Sequence, residues 1–204
     1  MNPLKSISGT IIAGIVLAVI IVLATQGNHM VAGMKAQSII IWLHVLAGIT
    51  WIGLLYYFNF VQVPALGEAA SDSDGPGPAA ISRYVAPRAL SWFRWGALVT
   101  WITGATFLLH KGQLVNAFLL GLNSDPINQY ALTIGVGAWL GTIMLFNVWV
   151  LIWPNQKKVL GMVEASADEI AKAKNTAFLA SRSNTLMSIP MVMSMVGAGH
   201  GWFM

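Results

Sequence analysis

The chain has four histidines, ten methionines and no cysteine. Without cysteine there is no disulfide, thiolate zinc site, iron–sulfur cluster or C-x-x-C-H haem attachment. Neutral imidazole is the commonest biological metal ligand and can bind haem iron axially. On helices, three of the histidines end or interrupt seams of small or aromatic residues. His44, Gly48, Trp51 and Leu55 share one face, as do Gly96, Thr100, Thr103, Phe107 and His110, and Pro190, Met193, Gly197 and His200. The glycines allow close approach of either a flat macrocycle or another helix. Two imidazoles on neighbouring helices at similar depth make a b-type haem site in a bundle. The expected ligand is His44, with His110 or His200 as its partner. Met187, Met191 and Met195 form a stripe at helical spacing, with Met193 and Met204 near it. Thioethers suit Cu(I), so copper held by Met191, Met195 and His200 is an alternative, and apolar packing is another. A second group contains Arg88, Arg94, Lys157, Arg182, Asn147, Asn155 and Asn184. Its cations and amides suit an anionic ligand or a lipid headgroup.

The elements that position these side chains follow from composition. Only 9% of the 204 residues are charged and 56% are hydrophobic, against about 25% charged in a soluble domain. A bilayer must be part of the solvent, which excludes a cytosolic enzyme or a nucleic-acid module. A spanning helix needs roughly 20 mostly apolar residues, and five segments qualify, at about 7–25, 37–63, 90–110, 129–153 and 183–204. The expected fold is an all-α integral membrane protein, one domain, a bundle of five transmembrane helices. The first segment exceeds the apolar core of a signal peptide and is expected to be retained. Residues 64–89 read as a loop, because Ser71 to Pro78 is turn-rich. Residues 157–174 read as a cytoplasmic amphipathic helix. Leu114 to Leu122 is apolar but too short to span, and is expected to lie in the membrane interface.

Lysine and arginine orient the spans. Lys5, Arg83, Arg88, Arg94, Lys157, Lys158, Lys172, Lys174 and Arg182 fall on one side, against Lys35 and Lys111 on the other. The N-terminus is therefore expected in the cytoplasm and the C-terminus outside, in a multi-pass protein of a bacterial inner membrane. On that topology His29, His44, His110 and His200 all lie toward the outer face. Gly137 and Gly141 form a G-x-x-x-G pair, which packs on another helix of this chain or of a second subunit. Trp51, Trp101 and Trp139 lie deeper than the other tryptophans and could pack on a ring system or on helices.

Four stretches carry a resemblance. They are Trp42-Leu43-His44-Val45-Leu46-Ala47-Gly48-Ile49-Thr50-Trp51-Ile52-Gly53 with Tyr57-Phe58; Pro87-Arg88-Ala89-Leu90-Ser91-Trp92-Phe93-Arg94-Trp95 with Thr103-Gly104; Asn147-Val148-Trp149 with Ile152-Trp153-Pro154-Asn155-Gln156-Lys157-Lys158; and Ser181-Arg182-Ser183-Asn184-Thr185-Leu186-Met187-Ser188-Ile189-Pro190. Together they resemble, from about residue 38 onward, the membrane domain of the PuuD-type bacterial urate oxidases, or urate hydroxylases. The element around His44 also resembles membrane protoporphyrinogen oxidases, which bind haem, and copper-resistance D proteins. The resemblance implies a membrane redox role, with electrons passing to a c-type cytochrome that full-length members carry at the C-terminus. This chain ends at Met204 without a cysteine. The expectation is therefore a b-haem protein that passes electrons to a separate periplasmic cytochrome c. A non-catalytic accessory subunit of a larger respiratory or oxidase complex is the alternative, and urate oxidation, with the Arg/Asn group holding the urate anion, is the third reading.

Overall fold

The computed structural model describes residues 2–26 and 36–201. His29, Lys35, Trp202 and Met204 lie outside them. Among the described residues all regular structure is helical. The chain divides into two units, residues 1–39 and 40–204. The first holds a 3-10 turn, Pro3–Lys5, capped by Asn2, then α1, Ile7–Gln26, whose run of Ile, Val, Leu and Ala has no charged residue.

The second unit contains most of α2, Ala36–Ser71, followed by α3, Ala86–His110, the short α4, Leu114–Phe118, α5, Gln129–Val159, and α6, Ala167–His200. By length and composition, Ile7–Thr25, α2 and α5 can each cross a membrane. The helices α3 and α6 are 25 and 34 residues long. Their Thr, Ser, Asn and Arg residues make them less apolar than the other three. Residues 64–89 are helical at both ends, since α2 runs on to Ser71 and helical turns resume before Ala86. Residues 157–174 do not form a separate helix. Gly161 takes φ +68° in the turn, and α6 then starts at a capping box, with Ser166 Oγ accepting from the Glu169 N–H and the Glu169 carboxylate accepting from the Ser166 N–H. From there α6 is continuous.

Among the described residues three stretches are wound as π-helix, Tyr57–Gln62, Ile81–Val85 and Asn147–Ile152. Each ends two residues before a proline, Pro64, Pro87 or Pro154. The cause is steric: proline has no N–H, and its ring collides with the carbonyl four residues back. Widening the turn removes the collision and passes the hydrogen bond to the fifth residue back. Val63 N–H accordingly bonds Phe58 O, Ala86 N–H bonds Ile81 O, and Trp153 N–H bonds Val148 O.

Inside lipid, helices are held by close packing and interhelical hydrogen bonds, because hydrocarbon is as apolar as leucine. The second unit shows both. The core is Trp51 and Leu55 of α2, Phe93 and Ala97 of α3, Met144, Val148 and Ile152 of α5, and Ala180 and Met191 of α6. Gly137 N–H of α5 donates to Ser194 Oγ of α6 at 3.0 Å, and that hydroxyl donates to the Thr133 carbonyl. Gly137 and Gly141 are buried within the chain. The helix that the G-x-x-x-G pair receives at Gly137 is thus α6 of the same chain. Gly135 lies so close to the Ala117 carbonyl of α4 that a Cβ has no room. The deeper tryptophans serve packing too. Trp51 is buried, Trp101 donates to Thr142 Oγ1 at 2.9 Å and Trp139 to the Phe118 carbonyl at 3.0 Å.

Candidate functional site

His44 sits on the face of α2 that packs against α3. Down this seam, Gly104 faces the His44 ring, Gly48 faces the Thr100 methyl, and Gly96 faces the backbone of Ala47 and Trp51. These glycines are therefore used by the helix pair itself. His44 Nδ1 lies 2.8 Å from the Thr100 carbonyl and 3.5 Å from Thr103 Oγ1. A carbonyl only accepts, so Nδ1 carries the proton and Nε2 keeps its lone pair. Among the described residues Nε2 has no hydrogen-bond partner.

His110 and His200 are exposed at the ends of α3 and α6. Each places Nδ1 against a carbonyl of its own helix, Thr106 O at 3.0 Å and Val196 O at 2.9 Å. His110 is six residues beyond Gly104, roughly 9 Å further along α3, so it is not level with His44. Met187, Met191 and Met195 line the apolar core, and Met193 is exposed. Among the described residues no three His, Asp or Glu side chains converge as a metal-binding group.

The second site lies at the level of the widened turns. Arg94 of α3 stacks on Trp153 of α5, its guanidinium carbon 3.7 Å from the ring centroid, with Trp95 and Trp149 each at 6.0 Å. Lys157 reaches the same Trp153 at 6.0 Å. The only ion pair among the described residues is Lys158–Glu169, so Arg94 has no carboxylate to neutralise it. Around the core at this level, Phe58 packs edge-on against Phe93. Asn59 Nδ2 donates to Ser181 Oγ at 2.8 Å, and Tyr56 and Ser188 join their hydroxyls at 3.0 Å. Buried polar atoms here lack partners among the described residues: Asn59 Oδ1, Gln62 Oε1, Arg94 Nε and Trp149 Nε1. Such atoms are costly in a low-dielectric interior and mark places where a polar ligand or water is accommodated.

Of the sequence-selected cations, the structure brings Arg94 and Lys157 together on one indole. Arg88 is exposed and bonds the Tyr84 carbonyl, and Arg182 is exposed over Phe178. Asn184 is fully buried and used internally, accepting from Asn147 Nδ2 and donating to the Met144 carbonyl. Sequence reasoning missed Asn59 and Gln62, although two amides inside an uncharged apolar run were a readable signal.

Comparison with known proteins bears on the half of the unit that holds α5 and α6. Residues 121–204 match the family model described as urate oxidase N-terminal. Searches of curated proteins and of solved structures returned no match. Two of the four resembling stretches, those containing Asn147 and Asn184, fall inside the matched residues, so over that length the likeness to the urate oxidase family holds.

Proposed function

We propose that the chain is a multi-pass redox protein of a bacterial inner membrane, related to the urate oxidases, which binds b-type haem at His44 near the outer face. In this reading α1, α2, α3, α5 and α6 all cross the bilayer, with the N-terminus in the cytoplasm and the C-terminus outside. The lysine and arginine distribution supports that orientation. The observation that carries the haem assignment is the Nδ1 bond from His44 to the Thr100 carbonyl. Histidines that hold metals typically donate their other ring N–H to a carbonyl or carboxylate, which fixes the tautomer and leaves the second nitrogen to coordinate. His44 meets that condition in a membrane helix, where a polar ring without a role is expensive. The exposed rings of His110 and His200 are left out of this site. Haem held there would supply one-electron transfer. The protein's part is to present Nε2, to exclude water with the α2–α3 seam, and to place the site toward the periplasm, where a separate cytochrome c can accept electrons. Copper is not part of this proposal, because the methionine stripe is taken up by the core.

A visible spectrum of protein purified after haem-supplemented expression tests the assignment. A Soret band lost in His44→Ala and kept in His110→Ala and His200→Ala is expected. No band in the unaltered protein rejects it. Single cysteines introduced at Ser73 and Asn123, in a chain with none of its own, test the orientation. A membrane-impermeant thiol reagent on intact cells is expected to label only position 123.

The unpaired Arg94 guanidinium favours a second reading, oxidation of urate itself. A planar anion with its own N–H groups could take the guanidinium and indole donors and supply donors to Asn59 and Gln62. Urate consumption that persists unchanged in Arg94→Gln removes this site.

A further inference from the structure

We infer that Thr100 and Gly104 of α3 are positioning residues for His44: they seat its imidazole as the Nδ1–H tautomer and leave the Nε2 lone pair without a partner among the described residues. The geometry has two parts. The Thr100 carbonyl takes the Nδ1 proton at 2.8 Å. Gly104 provides the space, since a Cβ there meets Cε1 of the ring at 2.8 Å and Nδ1 at 3.0 Å. Atoms this close cannot coexist, so any side chain at 104 pushes the ring away from the carbonyl. The atom to be displaced is the far end of a side chain rather than backbone, so the helix pair can survive the change while the imidazole loses its seat. Gly48, one turn from His44 on the same seam, contrasts with it. A Cβ at 48 meets only the Thr100 methyl, at an ordinary 3.8 Å. Thr103 is not needed for the seat. Its hydroxyl donates to the Val99 carbonyl at 2.6 Å and lies 3.5 Å from Nδ1, beyond good hydrogen-bond range.

A ring that merely ties α2 to α3 through the Thr100 carbonyl carries the same Nδ1 proton. What sets the seat apart is its dependence on the space at Gly104. Its use for haem rests on the reading above; the seat itself does not. The test is nitrogen NMR of haem-free protein labelled at histidine, at a pH where imidazole is neutral, with His44 assigned by its loss in His44→Gln. The expected signature is a protonated Nδ1 and an unprotonated Nε2, kept in Gly48→Ala and Thr103→Val and averaged between tautomers in Gly104→Ala. A proton on Nε2 in the unaltered chain, or an unchanged signature in Gly104→Ala, overturns the inference. Should Gly104→Ala fail to fold, the double variant with His44→Ala decides, because removing the ring removes the collision. Recovered folding supports the seat and continued failure overturns it. Haemin added to the same proteins separates the two readings. Unaltered protein that shows the Nδ1–H signature but takes up no haem rejects the haem site and leaves the seat. Haem bound with an identical spectrum in Gly104→Ala overturns the positioning role.

Discussion

Asn147 of α5 and Asn184 of α6 grip each other across the helix pair: Asn147 Nδ2 donates to Asn184 Oδ1 at 2.8 Å, and Asn184 Nδ2 donates onward to the Met144 carbonyl at 3.0 Å. Asn184 has no exposed surface. Asn184→Ala leaves a donor unsatisfied where water cannot replace it, at a cost of about 1–3 kcal/mol. Unfolding in detergent measures it. The double variant with Asn147→Ala should cost less than the two single changes added, because the residues share one bond.

Gly135 and Gly53 should respond in opposite ways to alanine. A Cβ at 135 meets the backbone carbonyl of Ala117, and backbone cannot swing aside, so α4 must shift. About 1–3 kcal/mol of destabilisation is expected, the usual range for overpacking. A Cβ at 53 meets nothing within 4 Å, and Gly53→Ala should be neutral or slightly stabilising through helix propensity. Equal midpoints for both in thermal unfolding contradict this account.

The start of α6 should loosen in acid. The Ser166 N–H, then the ammonium of Lys158, hold the Glu169 carboxyl below its ordinary value. A carboxyl depressed in the folded chain adds stability above its unfolded value, near 4.3, and loses it as pH falls through the folded value. Hydrogen exchange over residues 166–172 should therefore be slow at pH 7 and speed up below about pH 4 relative to the rest of α6. Glu169→Gln should remove that difference.

Arg94 and Trp153 should act together on any anion bound at the level of the widened turns. With the guanidinium 3.7 Å from the indole centroid, Arg94→Lys keeps the charge and loses the planar stack. On the urate reading, urate-dependent turnover is expected to fall about ten- to a hundred-fold in Arg94→Gln and Trp153→Leu, the worth of a charge-assisted hydrogen bond. The exposed Arg182→Gln should stay within about two-fold, as surface substitutions do.

The apolar helices α1, α2 and α5 were readable from run length, because lipid forces every backbone group into an internal bond, whereas the charged first half of α6 was not. What lay beyond sequence was mostly partner choice. Gly137 on α5 shows that a helix comes close; only the Ser194 hydroxyl on it shows which one. His44 and His110 both read as outer-face residues, yet one ring is seated between helices and the other is exposed on its own. Residues 64–89 read as a loop from the turn-rich run Ser71 to Pro78, yet α2 runs on to Ser71, with Pro64 accommodated just after a widened turn. The seat at Gly104 could not be found by spacing, since it depends on how α2 and α3 are registered against each other.

Each of those widened turns is arithmetically one surplus residue inside a helix. Side chains before and after it are out of phase by about 100° compared with an uninterrupted α-helix. Deleting one residue between Asn147 and Ile152 should therefore carry Trp153 off Arg94 while leaving Gly137 against Ser194 undisturbed. The part of α5 beyond the widened turn can thus be re-aimed by a length change of a single codon, independently of the part before it.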